Sequence, residues 1–129
     1  MHQNLSLFRL AHAMASHAGT RQAVIAQNIA NADTPGYRAR DIPAFGDMVR
    51  AGNGSAQRAT RPAHLNFGQN TASPQIVAAA ATGQSSPNGN SVSLEEQMLN
   101  AVDVKRQHDR ALAIYKFTLG VLRTSLGRR

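Results

Sequence analysis

Residues 5–32 keep one apolar period along their whole length, and the period ends abruptly at Thr34-Pro35-Gly36. Leu7, Ala11, Met14, Ala18, Gln22, Ile25 and Ile29 recur at steps of three and four. All but Gln22 are apolar, which is the pattern of one helix face. A helix over 5–32 would be about 42 Å long. Gly19 is its one weak point, at about 1 kcal/mol relative to Ala. The stop follows from backbone chemistry. Thr34 precedes a proline and is pushed out of the helical region, and Pro35 lacks the N–H that would continue the ladder. Pro35-Gly36 suits a type II turn, with Gly36 taking the positive φ. Asn31 and Asp33 can bond to nearby backbone.

A second helical run is expected over 93–127. Ser93 is a good N-cap with Glu96 three residues on, a capping box. Glu95 and Glu96 suit the positive end of the helix dipole. A heptad then places Met98, Lys105, Leu112, Leu119 and Leu126 on one position, and Ala101, His108, Tyr115 and Leu122 on another. Apart from Lys105 and His108 these are apolar, so the expected seam is of the coiled-coil type. Two apolar helices of similar length predict an antiparallel hairpin. Val102, Ile114, Phe117 and Val121 fall off that seam and call for partners beyond the chain.

Between the runs, residues 38–91 are rich in Gly, Ser, Asn and Thr and hold every proline except Pro35. The expectation is a loop-rich middle with a short β-hairpin, from strands near 64–67 and 75–79. The fold class is therefore mainly α, with long terminal helices pairing as an antiparallel coiled coil. The division of 1–129 is a 5–32 helix, a 33–92 turn and middle, and a 93–127 helix. With no Trp and 5% aromatic residues, the core of such a chain is thin.

Composition narrows the function. The net charge is +7, but charged residues are only 16% and no run of cations is longer than two. A basic helical module binding nucleic acid or an anionic membrane is the alternative reading; without interleaved aromatics, Arg38, Arg40, Arg50, Arg58 and Arg61 read as a solvated basic loop. Cysteine is absent, which removes disulfides and thiolate metal sites. His12 and His17 stand five apart and do not share a helix face. The histidines read as solvated or interfacial and not as metal ligands. Asp33 and Asp41 flank the turn without a cleft to organise them, and no phosphate-binding glycine loop is present. No enzyme activity, cofactor, metal, small-molecule substrate or nucleic acid is expected. The N-terminus lacks the pattern of a cleaved signal peptide, and no stretch approaches the ~18 apolar residues of a membrane span.

The stretch "NIANADTPGYRARDI" (28–42) resembles the signature of the bacterial flagellar rod, hook and hook-associated axial proteins. In that family an N-terminal helix ends in Asn-x-x-Asn-x-x-Thr-Pro-Gly-[Tyr/Phe], matched here by Asn28, Asn31, Thr34, Pro35, Gly36 and Tyr37. "GNSVSLEEQM" (89–98) is similar to the family's entry to its C-terminal helix. "ARDIPAF" (39–45), "TRPAHL" (60–65), the tail "YKFTLGVLRTSLGRR" and the short length resemble the proximal rod members, between which two sister proteins stand as alternatives.

The resemblance implies a structural subunit of the flagellar basal body, in the rod that crosses the periplasm as a drive shaft for motility. It implies partners: other rod subunits in a homo- and hetero-polymer, the basal-body membrane ring with its rod-adaptor protein, and the flagellar type III export apparatus, which needs no cleaved signal. The expected assembly interface is Leu7, Met14, Ile25, Ile29, Met98, Leu112, Tyr115, Leu119 and Leu122. Asn28 and Asn31 are expected to contact a neighbouring subunit.

Overall fold

The computed structural model describes residues 2–54, 76–78 and 87–127. Helix α1 runs His2–Ala30, α2 Phe45–Gly54 and α3 Leu94–Ser125. Two short strands, β1 (Arg40–Asp41) and β2 (Val77–Ala78), pair antiparallel with Arg40 opposite Ala78. The expectation of a mainly helical chain whose long terminal helices pack together holds.

The pairing of α1 and α3 is antiparallel. Asn28, near the end of α1, bonds Gln97, near the start of α3, at 3.0 Å. Phe8, near the start of α1, meets Tyr115 edge-to-face at 5.2 Å. The N-cap expected at Ser93 forms: its hydroxyl accepts the Glu96 N–H at 3.4 Å.

One of the two expected seam rows lies one residue away, while in the other Ala101, His108 and Leu122 are half-buried. The buried positions of α3 are Gln97, Val104, Ala111 and Thr118, a heptad row displaced by one from Met98, Lys105, Leu112 and Leu119. The matching buried row on α1 includes Ala11, Ala18, Ile25 and Asn28. Ile25, Ala18 and Val104 pack as one cluster with Ala101 against it. The correction has a physical reason. α3 is apolar on more than one face, so counting apolar residues finds its broadest stripe, whereas the intrachain seam is built from small and polar residues that let two helices approach closely.

Two further differences concern the middle. The segment 45–54, expected as loop, is helical. Ala44 accepts the N–H groups of Asp47 and Met48 at 3.0 and 3.2 Å, and Asp47 in the first turn complements the dipole. Phe45, Met48 and Val49 give it a short amphipathic spacing after Pro43. The strand expected at 75–79 exists at 77–78, but its partner is β1, beside the signature turn. The other expected strand, 64–67, lies outside the described residues, as do Arg58, Arg61 and His64.

Candidate functional site: the joint and the exposed helix faces

The end of α1 and the entry to α3 form one hydrogen-bonded unit. Asn28 is fully buried, at 0% exposure. Its amide N–H groups donate to the Arg40 carbonyl at 2.7 Å and to Gln97 Oε1 at 3.0 Å. Its Oδ1 accepts the Arg40 backbone N–H at 3.0 Å and the Tyr37 hydroxyl at 3.3 Å. Two donors face one end of the amide and two acceptors face the other, which fixes its orientation. The side chain thus serves Arg40 as a strand neighbour would, taking both its N–H and its C=O. A buried amide is tolerated because every one of these bonds is made.

Asn90 does the reverse job from the other segment. Its Nδ2 donates to the carbonyls of Asn31, Ala32 and Thr34 at 2.9, 2.7 and 2.8 Å, and its Oδ1 accepts the Val92 N–H at 2.8 Å. Those carbonyls lie just past the α1 terminus, where no further helical turn supplies donors. Asn31 itself turns back on the helix: its Nδ2 donates to the Gln27 carbonyl at 2.8 Å, and its Oδ1 accepts the Thr34 hydroxyl at 3.3 Å.

The Thr34-Pro35-Gly36-Tyr37 turn is of type II, with the Tyr37 N–H on the Thr34 carbonyl at 3.3 Å and Gly36 at φ +71°. Gly36 N–H donates to the Asn88 carbonyl at 3.0 Å. Opposite it stands Gly89, at φ +79°, where an added Cβ would lie 3.6 Å from the Gly36 Cα. The two turns lie side by side, close enough that this Cβ would be in ordinary van der Waals contact. Ser91 closes the unit: its N–H donates to the Tyr37 carbonyl at 3.0 Å, and its hydroxyl accepts the Ala39 N–H at 2.9 Å.

The chain after the turn is pinned back to α1. Arg21 makes a two-pronged ion pair with Asp41, at 2.9 and 2.8 Å. Asp41 Oδ1 also accepts the Ile42 N–H at 2.7 Å. Burial alone would push the Asp41 carboxyl up. The Arg21 hydrogen bonds, the Ile42 N–H, and the attraction of Arg21 and His17 outweigh it and hold the group below its ordinary range. For Arg21, the hydrogen bond to Asp41 raises its value and outweighs burial.

The sign for stability follows. A carboxyl with a lowered folded value contributes fully above its unfolded value near ~4 and loses that contribution as pH falls through the lower folded value. Asp41→Asn should therefore lose less stability than the parent chain between about pH 6 and about pH 3, read from thermal melts. Equal losses in the two proteins would remove Asp41 as the source.

His17 is a further correction. Expected as solvated or interfacial, it is buried, at 3% exposure. Its Nε2 donates to the Pro43 carbonyl at 2.9 Å, and its ring packs on Phe45 at 5.5 Å. It therefore ties α1 to the segment that leads into α2. Among the described residues, its Nδ1 is a buried nitrogen without a partner.

The motif residues Asn28, Asn31, Thr34, Pro35, Gly36 and Tyr37 are gathered in one place. The expectation that the two asparagines reach a neighbouring subunit is corrected for Asn28, whose bonds all stay within the chain, and Asn31 bonds its own helix end. Spacing showed these residues but not their partners Asn90, Ser91 and Gln97. "GNSVSLEEQM" carried those residues as an α3 entry, and nothing local marked Asn90 as a cap for a different helix.

The nine expected interface residues divide three ways. Ile25 is buried within the chain, and Met14, Leu119 and Leu122 are half-buried. Leu7, Ile29, Met98, Leu112 and Tyr115 are exposed, Met98 at 62%. Off that set, Leu99, Val102, Val121 and Phe117 also face outward, Phe117 at 72%. Monomers rarely leave such rows of large apolar side chains uncovered.

Among the described residues, no group of three or more metal-ligating side chains gathers, and no helix is long and apolar enough to cross a membrane. Asp33 is exposed and Asp41 is engaged with Arg21, so the two do not form a working carboxylate pair. Arg38 and Arg40 are exposed, and Arg50 is 3.9 Å from Asp47 at the surface.

Known proteins resemble this chain along most of its length. The family model described as "Flagella basal body rod protein" matches residues 15–38, the second half of α1 and the signature turn. The flagellar basal body rod protein FlgB of Agrobacterium fabrum is 36% identical over 119 residues, covering 88% of this chain and 87% of that protein. The FlgB proteins of Escherichia coli and Salmonella typhimurium are 34% and 33% identical, covering 72% and 73% of this chain. With both halves of the joint in place and relatives this similar over this much of its length, the chain belongs to the flagellar basal body rod protein family.

Proposed function

We propose that this chain is a structural subunit of the flagellar basal body rod, built into the rod together with other rod components and serving motility without catalysis. The observation that supports it most is the division of labour in the structure. The joint is satisfied inside the chain, while Leu7, Ile29, Met98, Leu112 and Tyr115 stay exposed on the two long helices. A face of that kind is completed by other subunits, and a heterologous contact repeated along an axis gives an open filament.

The finer parts of the reading are a place in the proximal, periplasm-spanning rod beside the membrane ring and its adaptor protein, and delivery through the flagellar type III export apparatus. They rest on the resemblance of the signature, the tail and the short middle to the proximal rod members.

The test is complementation of a motile strain deleted for its own copy of this gene. The parent chain should restore swimming. Met98→Asp should leave the melting temperature of the purified chain within about 2 °C, because an exposed side chain contributes little to folding, yet abolish swimming. Full swimming by that variant would take Met98 out of the interface, and failure of the parent chain to complement would remove the rod reading.

A further inference from the structure

An Asn-Gly step occurs twice in the chain, at Asn53-Gly54, which ends α2, and at Asn88-Gly89, inside the joint. Asn88 and Gly89 are exposed, and the joint calls for both residue types. Gly89 sits at φ +79°, a conformation that glycine takes at no steric cost. Asn88 Oδ1 accepts the Asn90 N–H at 3.1 Å, the short-range bond that asparagine makes in turns. The Asn88 main-chain carbonyl accepts the Gly36 N–H at 3.0 Å. Asn90 in turn holds the carbonyls past the end of α1.

The same two residues react with each other. Gly89 carries no side chain to shield its backbone nitrogen, which can attack the amide carbon Cγ of Asn88. The new bond closes a succinimide ring. The bond from Cγ to Nδ2 breaks, and ammonia leaves with the proton that Gly89 gives up. Water then opens the ring. Opening at Cγ yields aspartate with the backbone unchanged. Opening at the main-chain carbonyl carbon yields isoaspartate, in which the backbone runs through Cβ and Cγ and the former carbonyl becomes a carboxylate branch.

We infer that Asn88 is a site of self-modification, open to reaction while the joint is apart and held once it closes, and that the isoaspartyl product cannot close it. In the closed joint the Gly36 N–H holds the Asn88 carbonyl, and the Asn90 N–H holds Oδ1. Both ends of the residue are then fixed, and Cγ cannot turn onto the Gly89 nitrogen. Isoaspartate lengthens the backbone by one bond, about 1.5 Å. Asn90 bonds the carbonyls of Asn31, Ala32 and Thr34 at 2.9, 2.7 and 2.8 Å, and a displacement of that size takes it out of hydrogen-bond range. The aspartyl product keeps both the backbone and an oxygen in the place of Oδ1, so it still closes. A subunit left unjoined therefore loses its competence with time, a consequence that rests on the rod reading, although the reactivity of Asn88 does not.

The experiment follows isoaspartate by peptide mass spectrometry and by an isoaspartyl-specific carboxyl methyltransferase. The purified full-length chain is aged in guanidinium chloride, which holds the joint open, at mildly alkaline pH. Asn88 should convert at least tenfold faster than Asn28 or Asn31, with isoaspartate as the main product, and Asn88→Ser should remove the signal at that position. Basal bodies aged without denaturant should convert Asn88 at least tenfold more slowly than the open chain. In cells held without growth, isoaspartate at Asn88 should be at least tenfold rarer in incorporated subunits than in the unincorporated pool. Conversion of Asn88 no faster than Asn28 in the open chain, equal rates in basal bodies and open chain, or equal shares in rod and pool each overturn the inference. Basal bodies that contain none of this chain would instead overturn the rod reading, and the open chain would still decide whether Asn88 reacts.

Discussion

Asn28→Ala should cost about 3–5 kcal/mol, among the largest effects available to a single substitution in this chain. The change removes little volume. Its cost lies in what it strands: the N–H and the C=O of Arg40, the Gln97 amide oxygen and the Tyr37 hydroxyl. An unmet buried polar group costs about 1–3 kcal/mol, and water entering the gap recovers part of that. Asn28→Asp is the informative companion. It retains the two accepted bonds and loses the two donated ones, so it should unfold earlier than the parent while keeping protection of the Arg40 amide in hydrogen exchange. Chemical denaturation gives the free energies. A loss under about 1 kcal/mol for Asn28→Ala would mean that the joint is not what holds the two helix ends together.

Ile25→Ala is the second large effect, expected at about 2–4 kcal/mol from lost burial and the cavity left behind. Ile25 is 2% exposed and shares its cluster with Ala18 and Val104. In a broad core, neighbours collapse into such a gap. Here its cluster partners are only Ala18, Val104 and Ala101, with little side chain to move in. Against a total stability of about 5–15 kcal/mol, the loss should lower the melting temperature by on the order of 10 °C. Ile25→Val, which deletes one methylene, should cost only about 1 kcal/mol. Equal melting of the alanine variant and the parent chain would show that the α1–α3 seam does not limit stability.

The helices were legible because each is long and strongly periodic, and their ends carried chemistry that acts locally: Pro35 and Gly36 for one, Ser93 and Glu96 for the other. The seam was less legible. Periodicity reports every apolar face at once, and Met98, Leu112 and Tyr115 outweigh Gln97, Ala111 and Thr118 in any hydrophobic count. The small and polar row is nonetheless the one that faces α1. Helix α2 was missed because its ten residues sit in a segment whose glycines and asparagines signal loop. The partners of the joint were illegible for a different reason. Asn28 meets Gln97 across 69 positions and Asn90 meets Asn31 across 59, and no local pattern encodes a match over that distance.

The bonds of Ser91 to Tyr37 and Ala39 have a consequence for how this chain can vary. They pinch the backbone into a neck, where residues 37–39 and residue 91 lie side by side, and the first residues past it stay on α1 through Asp41 and Pro43. Material added beyond the neck need not stretch or twist the helices, and the entropy of closing a longer loop rises only by about 0.6 kcal/mol for each doubling of its length. The two halves of the signature thus act as a socket with a fixed mouth, into which a short segment or an entire additional domain can be plugged without altering the shaft on which it sits.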